Sequence, residues 1–223
     1  MDFKNKELII FDFDGTLINS IPDLTLAVNK MLSFYKLAPL TIEQVTPFIG
    51  NGAKPLVKRA LEFALEKESL STELLDEAFP IYFSAYKEVT CIDTFMYPGV
   101  LETLNDLKNK GYDMVICTNK PFNFIEPILE KLEMKDFFSL WIGEDSLTEK
   151  KPHATPLLHL ANAKQCSLEK CIMIGDSKND ILAAQNANME SIGVSYGYNY
   201  NEQISDYNPT HVVHSFDELQ ELF

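Results

Sequence analysis

Two aspartates stand two residues apart at the end of an apolar run. Leu8-Ile9-Ile10-Phe11 leads straight into Asp12-Phe13-Asp14-Gly15. In extended chain, side chains at i and i+2 point the same way, so both carboxylates reach one side. Acids at the end of a buried strand are unfavourable unless a cation or hydrogen-bond donors receive them. An Asp-Gly pair alone is a turn signal, but two acids flanking one aromatic at a strand end ask for more than a turn. A second acidic group, Gly175-Asp176-Ser177-Lys178-Asn179-Asp180, comes after the apolar residues 171–174 and precedes the helix-like ILAAQNAN. Asp176 stands in the same kind of position as Asp12. Asp180 falls in the first turn of the next helix, where its charge also suits the helix dipole. Carboxylates converging from separate strand ends repel one another unless a metal joins them. Hard oxygen donors, with no His or Cys cluster nearby, favour Mg²⁺ over zinc.

Between these groups, residues 114–117 end in Thr118-Asn119-Lys120-Pro121. Thr118 offers a hydroxyl to an anion, although Thr118 and Asn119 taken alone read as the cap of a helix beginning near Pro121. Glu149-Lys150-Lys151-Pro152-His153 is a proline-stiffened loop whose lysines, taken alone, read as a solvated pair. In combination these residues supply a carboxylate nucleophile, a neighbouring carboxylic acid, a hydroxyl, a lysine and an acid-bound metal. That set suits phosphoryl transfer: an aspartate can accept the phosphoryl group covalently, and cations neutralise the charge spread over it.

The elements that must position these groups are short apolar strands alternating with amphipathic helices. Residues 8–11, 114–117, 140–142, 171–174, 191–195 and 211–214 read as strands. A helix over 100–110 puts Leu101, Leu104 and Leu107 on one face, with Gly111 placed to end it. Uninterrupted apolar strands alternating with helices predict an α/β, doubly wound parallel sheet covered on both faces. Residues 18–94 break the rhythm. Ser20-Ile21-Pro22-Asp23 resembles a capping box, and helices are expected after it, near 42–45, 55–66 and 72–87, with no strand. The expected organisation is a core of residues 1–17 and 95–223 carrying an all-helical cap, residues 18–94, inserted after the first strand. In that block Gly50-Asn51-Gly52 makes a donor-rich turn, with Lys54 and Arg59 after it. A cation on a closing cap could receive a substrate's charged group; the other reading puts both side chains on exposed helix faces, the one preferred for Arg59. The aromatic run 196–200 is expected to pack on the core and help shape the site, and Trp141 to be core.

The chain has 223 residues, 46% of them hydrophobic, and a formal net charge of -14. The acidic field argues against nucleic acid and anionic membrane as partners, since it repels phosphates. No apolar run reaches membrane-spanning length and the N-terminus does not read as a signal peptide. The four cysteines form no CxxC pair, and Cys117 and Cys171 sit in apolar runs as free buried thiols. A cytoplasmic protein is expected, acting on a small phosphorylated metabolite as a monomer or homodimer. His153, His159, His211 and His214 lack metal-ligand spacing.

DFDGT, TN, KKP and GDSKND, in this order with a helical insertion after the first, resemble the haloacid dehalogenase-like superfamily over nearly the whole chain. The resemblance implies that superfamily's Rossmann-like core, with Asp12 as nucleophile and Asp14 as general acid/base. It implies Thr118 and Lys151 as the phosphate-binding pair, with Asn119 beside them. Mg²⁺ would be held by the Asp12 carboxylate, the Asp14 main-chain carbonyl and Asp176, with Asp180 either an additional metal partner or a residue behind the ligands. Retention of Asp14 favours phosphate chemistry over dehalogenation, which needs no acid to protonate an alkoxide. FDFDGTLINSIPDL, TPFIGNGAKPLVKRAL, KKPHATPLL and SYGYNYNE resemble bacterial phosphoglycolate phosphatases. The implied reaction is hydrolysis of 2-phosphoglycolate to glycolate and phosphate, with Gly50, Asn51, Gly52 and Lys54 meeting the substrate. A phosphatase or phosphomutase acting on another small ester or sugar phosphate is the alternative; a non-catalytic phosphoester sensor is disfavoured because Asp12, Asp14, Lys151 and Asp176 are all present.

Overall fold

A computed structural model describes residues 2–223. In chain order the strands are β1 (Leu8–Phe11), β2 (Ile18–Asn19), β3 (Phe95–Met96), β4 (Asp113–Cys117), β5 (Leu140–Ile142), β6 (Cys171–Gly175), β7 (Glu190–Val194) and β8 (His211–Val213). The helices are α1 (Ile21–Phe34), α2 (Ile42–Val45), α3 (Ala53–Ala64), α4 (Thr72–Val89), α5 (Val100–Asn109), α6 (Ile125–Lys131), α7 (Thr155–Ala163), α8 (Lys178–Asn186) and α9 (Leu219–Leu222). Six strands form one parallel sheet in the order β5-β4-β1-β6-β7-β8. The chain therefore builds outward from β1 in one direction and then restarts at β6 in the other. That reversal leaves a crevice beside β1 and β6, the place where open α/β sheets receive ligands.

Both sheet faces are covered, and the strand sequence shows why. Every residue of β1 is buried. Ile9 and Phe11 join one apolar cluster with Leu104, Leu107 and Ile128, while Leu8 and Ile10 join another with Leu157, Leu160 and Ala184. A period of two with both faces apolar needs helices on both sides. Cys117 and Cys171 are buried free thiols as expected, and Trp141 is half-buried against the first cluster instead of inside it.

Helices α1 to α4 occupy the interval between β2 and β3 and pack on one another. Three expectations are corrected there. Residues 18–94 contain strand after all: Ile18 and Asn19 pair antiparallel with Met96 and Phe95, a ribbon too short to leave an alternating signal. The box at Ser20 does not form, because Ser20 donates its hydroxyl to Asp14 and leaves the helix uncapped by its side chain. Asp23, the supposed acidic partner, is buried and accepts from the amides of Ile92, Asp93 and Thr94 at 2.9–3.1 Å. Helix α3 also starts two residues earlier than Pro55 suggests, since Gly52, at φ +97°, turns the chain into it.

Candidate active site

The register of the sheet places the acids. Phe11 lies level with Ile116 on one side and Ile174 on the other, so the residues just past each strand emerge at one height. The Asp12 amide donates to the Ile174 carbonyl at 2.9 Å, extending the ladder past β1, and the Thr118 amide donates to the Ile142 carbonyl at 3.1 Å. Asp12, Asp176 and Asp180 are buried, and each offers a carboxylate oxygen within 4.8 Å of the others. Lys151, 2% exposed, donates from Nζ to Asp12 Oδ1 at 2.8 Å, to Asp180 Oδ1 at 2.6 Å and to the Cys117 carbonyl.

Each acid is held from behind. Asp176 accepts the Thr16 hydroxyl at 3.1 Å and the Tyr198 amide at 2.7 Å. Asp180 accepts the amide and hydroxyl of Ser177 at 3.0 and 2.8 Å, so it closes the capping box of α8 while also meeting Lys151. Gly15 makes the approach possible: at φ +94°, a Cβ there would lie 2.2 Å from Asp176 Oδ2.

Asp12 and Asp180 share the Lys151 ammonium, and the crowding of buried charge registers in the acidities of Asp12 and Asp176. Burial raises Asp12 to about 7, against the pull of Lys151 and with the push of Asp180. Asp176 is raised by burial first, then by the charges of Asp12 and Asp180. Burial alone would lower Lys151, but Asp12 and Asp180 outweigh it and hold the ammonium charged beyond its usual range. The excess negative charge, confined to buried oxygens, fits a hard divalent cation such as Mg²⁺. The neighbouring Cys117 thiol is pushed up to about 12 by burial, which removes it as a nucleophile.

Asp14 lies to one side of this cluster. Its carboxylate accepts from Lys120 Nζ at 2.9 and 3.2 Å and from the Ser20 hydroxyl. Thr118 is buried, and its hydroxyl accepts the Lys120 amide at 3.1 Å. Asn119 donates to the carbonyls of Gly50 and Lys151, each at 3.0 Å, leaving its buried Oδ1 without a partner among the described residues. Asp12, Asp14, Thr118, Asn119, Lys120 and Lys151 all line one cavity of about 50 Å³, closed on the far side by Gly50, Gly52, Ala53 and Leu56 and by Tyr82 and Tyr86 of α4.

The 50–53 turn is fastened to the sheet side. The Gly50 carbonyl receives both Asn119 and Asn179, each at 3.0 Å. Asn51 accepts Arg59 at 2.7 Å and the Tyr200 hydroxyl at 3.0 Å on its side chain, and Lys150 at 2.8 Å on its carbonyl. The Ala53 amide donates to Glu144 at 3.0 Å. Gly50 has φ +112°, and a Cβ on it would sit 2.2 Å from the Tyr200 hydroxyl oxygen. Lys54 does not join this arrangement, which corrects the expectation that it meets the substrate. It is exposed and pairs with Asp76 at 2.7 Å, because its place in the first turn of α3 points it along the outer face of the helices. Arg59 is a half-buried brace behind the turn, not a solvent-facing side chain.

Several residues of the site carry no role in the motif reading. Lys120 stands inside the Thr118-Asn119-Lys120-Pro121 string, two residues past Thr118. Asn179 lies one turn from Asp176 in the acidic motif. Tyr82 and Tyr86 share an inward face at i, i+4, which is the only signal they give. Tyr198, buried, donates its hydroxyl to the Ile18 carbonyl at 3.2 Å and accepts the Ser20 amide at 3.1 Å, so the aromatic run both packs and braces the site. His153 is exposed and turned to Thr155.

The family model described as haloacid dehalogenase-like hydrolase matches residues 9–194. A phosphoglycolate phosphatase of Colwellia psychrerythraea is 44% identical over 220 residues, covering 98% of this chain and 97% of that one. One from Psychrobacter arcticus is 44% identical over 217 residues, covering 96% and 94%. Among solved structures, a predicted phosphoglycolate phosphatase from Haemophilus somnus superposes with a TM-score of 0.92 at 36% identity, covering 97% of each chain.

Proposed function

The chain belongs to the haloacid dehalogenase-like hydrolases and is a phosphatase of that family; from that footing we propose that it hydrolyses 2-phosphoglycolate to glycolate and phosphate, with Mg²⁺ and through an aspartyl phosphate on Asp12. The observation that carries the reading is the meeting of Asp12, Lys151, Thr118 and Asp14 around one cavity at the reversal of the sheet. The substrate itself is taken from the names of the relatives.

A carboxylate oxygen of Asp12 attacks phosphorus, and the bond from phosphorus to the glycolate oxygen breaks. Asp14 gives its proton to that oxygen, releasing the alcohol. Asp14 then takes a proton from water, whose oxygen attacks the phosphorus of the aspartyl phosphate and frees Asp12 and inorganic phosphate. Lys151 keeps Asp12 oriented, and its charge offsets that of the arriving phosphate. Thr118 supplies the hydroxyl beside it. The residues that would hold Mg²⁺ are Asp12, Asp176 and the Asp14 main-chain carbonyl, with Asp180 as additional partner. When bound, the ion neutralises charge on the transferring group. Residues 20–94 act as a cap, and the 50–53 turn closes over the cavity to exclude water.

The test is phosphate release from 2-phosphoglycolate beside a panel of small phosphate esters and sugar phosphates, each with Mg²⁺ and with EDTA. A Mg²⁺-dependent preference for 2-phosphoglycolate is expected. Preference for another ester would remove the substrate while keeping the mechanism; dependence on a bisphosphate activator with little net phosphate would indicate the mutase.

A further inference from the structure

If the substrate is a two-carbon acid phosphate, the reading on which this inference rests, its carboxylate needs a cation inside a strongly acidic protein. Lys151 is committed, its donors going to Asp12, Asp180 and the Cys117 carbonyl. Lys150 is taken by Glu144 and the Asn51 carbonyl. Arg59 is taken by Phe48 and Asn51, and Lys54 lies outside against Asp76. Among the described residues that line the cavity, one ammonium is left with donor capacity. Lys120 carries three N–H donors, yet both of its hydrogen bonds go to the single carboxylate of Asp14. Its Nζ also lies 4.9 Å from the centre of the Tyr86 ring, and its side chain is 2% exposed.

From this geometry we infer that Lys120 is the specificity-determining residue of the site, binding the carboxylate of the substrate while it holds Asp14. The two tasks are linked by the size of the substrate. Asp14 must come within hydrogen-bond reach of the ester oxygen to protonate it. In 2-phosphoglycolate one carbon separates that oxygen from the carboxylate group. A cation bonded to Asp14 is therefore adjacent to the carboxylate of any substrate correctly placed for the reaction. The Tyr86 ring and Asp14 fix the ammonium between them, so it is preorganised and its pairing needs no side-chain search. An ester whose carbon next to the ester oxygen bears no anion leaves this donor unused. An unmet buried donor penalises the wrong substrate more than a weak contact rewards the right one.

The experiment crosses the residue with the substrate group it is assigned to. Wild type, Lys120→Met and Lys120→Arg are assayed with Mg²⁺ on 2-phosphoglycolate and on 2-hydroxyethyl phosphate, which has the same length and an uncharged end. Wild type should prefer 2-phosphoglycolate. Lys120→Met should lose about 10- to 100-fold of that preference, with Lys120→Arg keeping much of it. Inhibition by inorganic phosphate, unchanged in Lys120→Met, confirms a folded site, and inhibition by glycolate should weaken in that variant alone. If both substrates fall together in Lys120→Met with the preference intact, Lys120 acts only through Asp14 and the inference is overturned. Should Lys120→Met not fold, Lys120→Gln takes its place: loss of preference in Lys120→Gln with much of it kept in Lys120→Arg supports the contact, and full preference in Lys120→Gln overturns it. A wild-type enzyme that prefers the uncharged ester refutes the substrate reading itself, a different result from an intact preference in the variant.

Discussion

The side-chain amide of Asn179 donates to the Gly50 carbonyl at 3.0 Å, joining the first turn of α8 to the turn ahead of α3. The same carbonyl receives Asn119, so both strand-end motifs hold one peptide of the helical block. Asn179→Ala should raise KM for the substrate and lower kcat/KM by roughly fivefold, the worth of one hydrogen bond of about 1 kcal/mol. Lys54→Ala, on the outer face, should change kcat/KM less than about twofold. Steady-state kinetics on both variants checks this, and equal effects would contradict the placement of the turn over the cavity.

Asp12→Asn should abolish turnover, by at least about 10⁴-fold, while near-ultraviolet circular dichroism keeps its native form. The amide cannot accept the phosphoryl group, but it has nearly the same shape and can still meet Lys151. Substantial residual phosphate release would place the nucleophile elsewhere.

Binding of Mg²⁺ to three buried carboxylates should stabilise the fold. At a hundred times its dissociation constant the gain is about 2.7 kcal/mol, which raises Tm by roughly 5–10 °C in a chain of this size. Asp176→Ala should remove most of that increment. A thermal melt with and without the ion reads it directly, and the assay needs no turnover.

Without a divalent ion, Asp12 keeps its proton up to about pH 7, whereas an unfolded aspartate releases it near 3.8. Between those values the native state binds more protons than the unfolded chain, so this group's contribution to stability falls as pH rises and is lost above about 7. In EDTA, wild type should therefore lose Tm relative to Asp12→Asn between about pH 4 and pH 7. Parallel profiles for the two proteins would show that Asp12 ionises freely.

Asp23 secures the return of the chain from α4 through three amides and the Thr94 hydroxyl. Asp23→Ala leaves those buried donors unmet and should reduce stability by about 2–4 kcal/mol, seen as a lower urea midpoint. Its effect on kcat should be smaller than on stability, because Asp23 touches none of the reacting groups.

The residues at strand ends are the ones legible in the sequence. The apolar runs fix β1, β4 and β6, and their common register then forces Asp12, Thr118 and Asp176 to one edge. Lys151 is legible with them through the motif that carries it. Residues whose partners lie outside their own helix or strand are not legible in this way. Ser20 and Asp23 carry the local pattern of a capping box, and each is drawn away by a tertiary partner, Asp14 in one case and the 92–94 segment in the other. Lys54 reads as a substrate contact because sequence gives a charge's place in a helix, not the face on which that helix is packed. Lys120 is visible but carries no assignment, since nothing local says that it reaches back to Asp14, 106 residues earlier.

The two-residue ribbon of β2 and β3 has a consequence for ancestry. Ile18 sits beside Met96 and Asn19 beside Phe95, so the excursion through α1 to α4 begins and finishes at neighbouring points. A chain lacking it could close the gap with a tight hairpin and keep its sheet. If the helical block acts as the proposed cap, a new set of helices grafted at the ribbon would leave Asp12, Asp14 and Lys151 in the core and alter which esters they are shown.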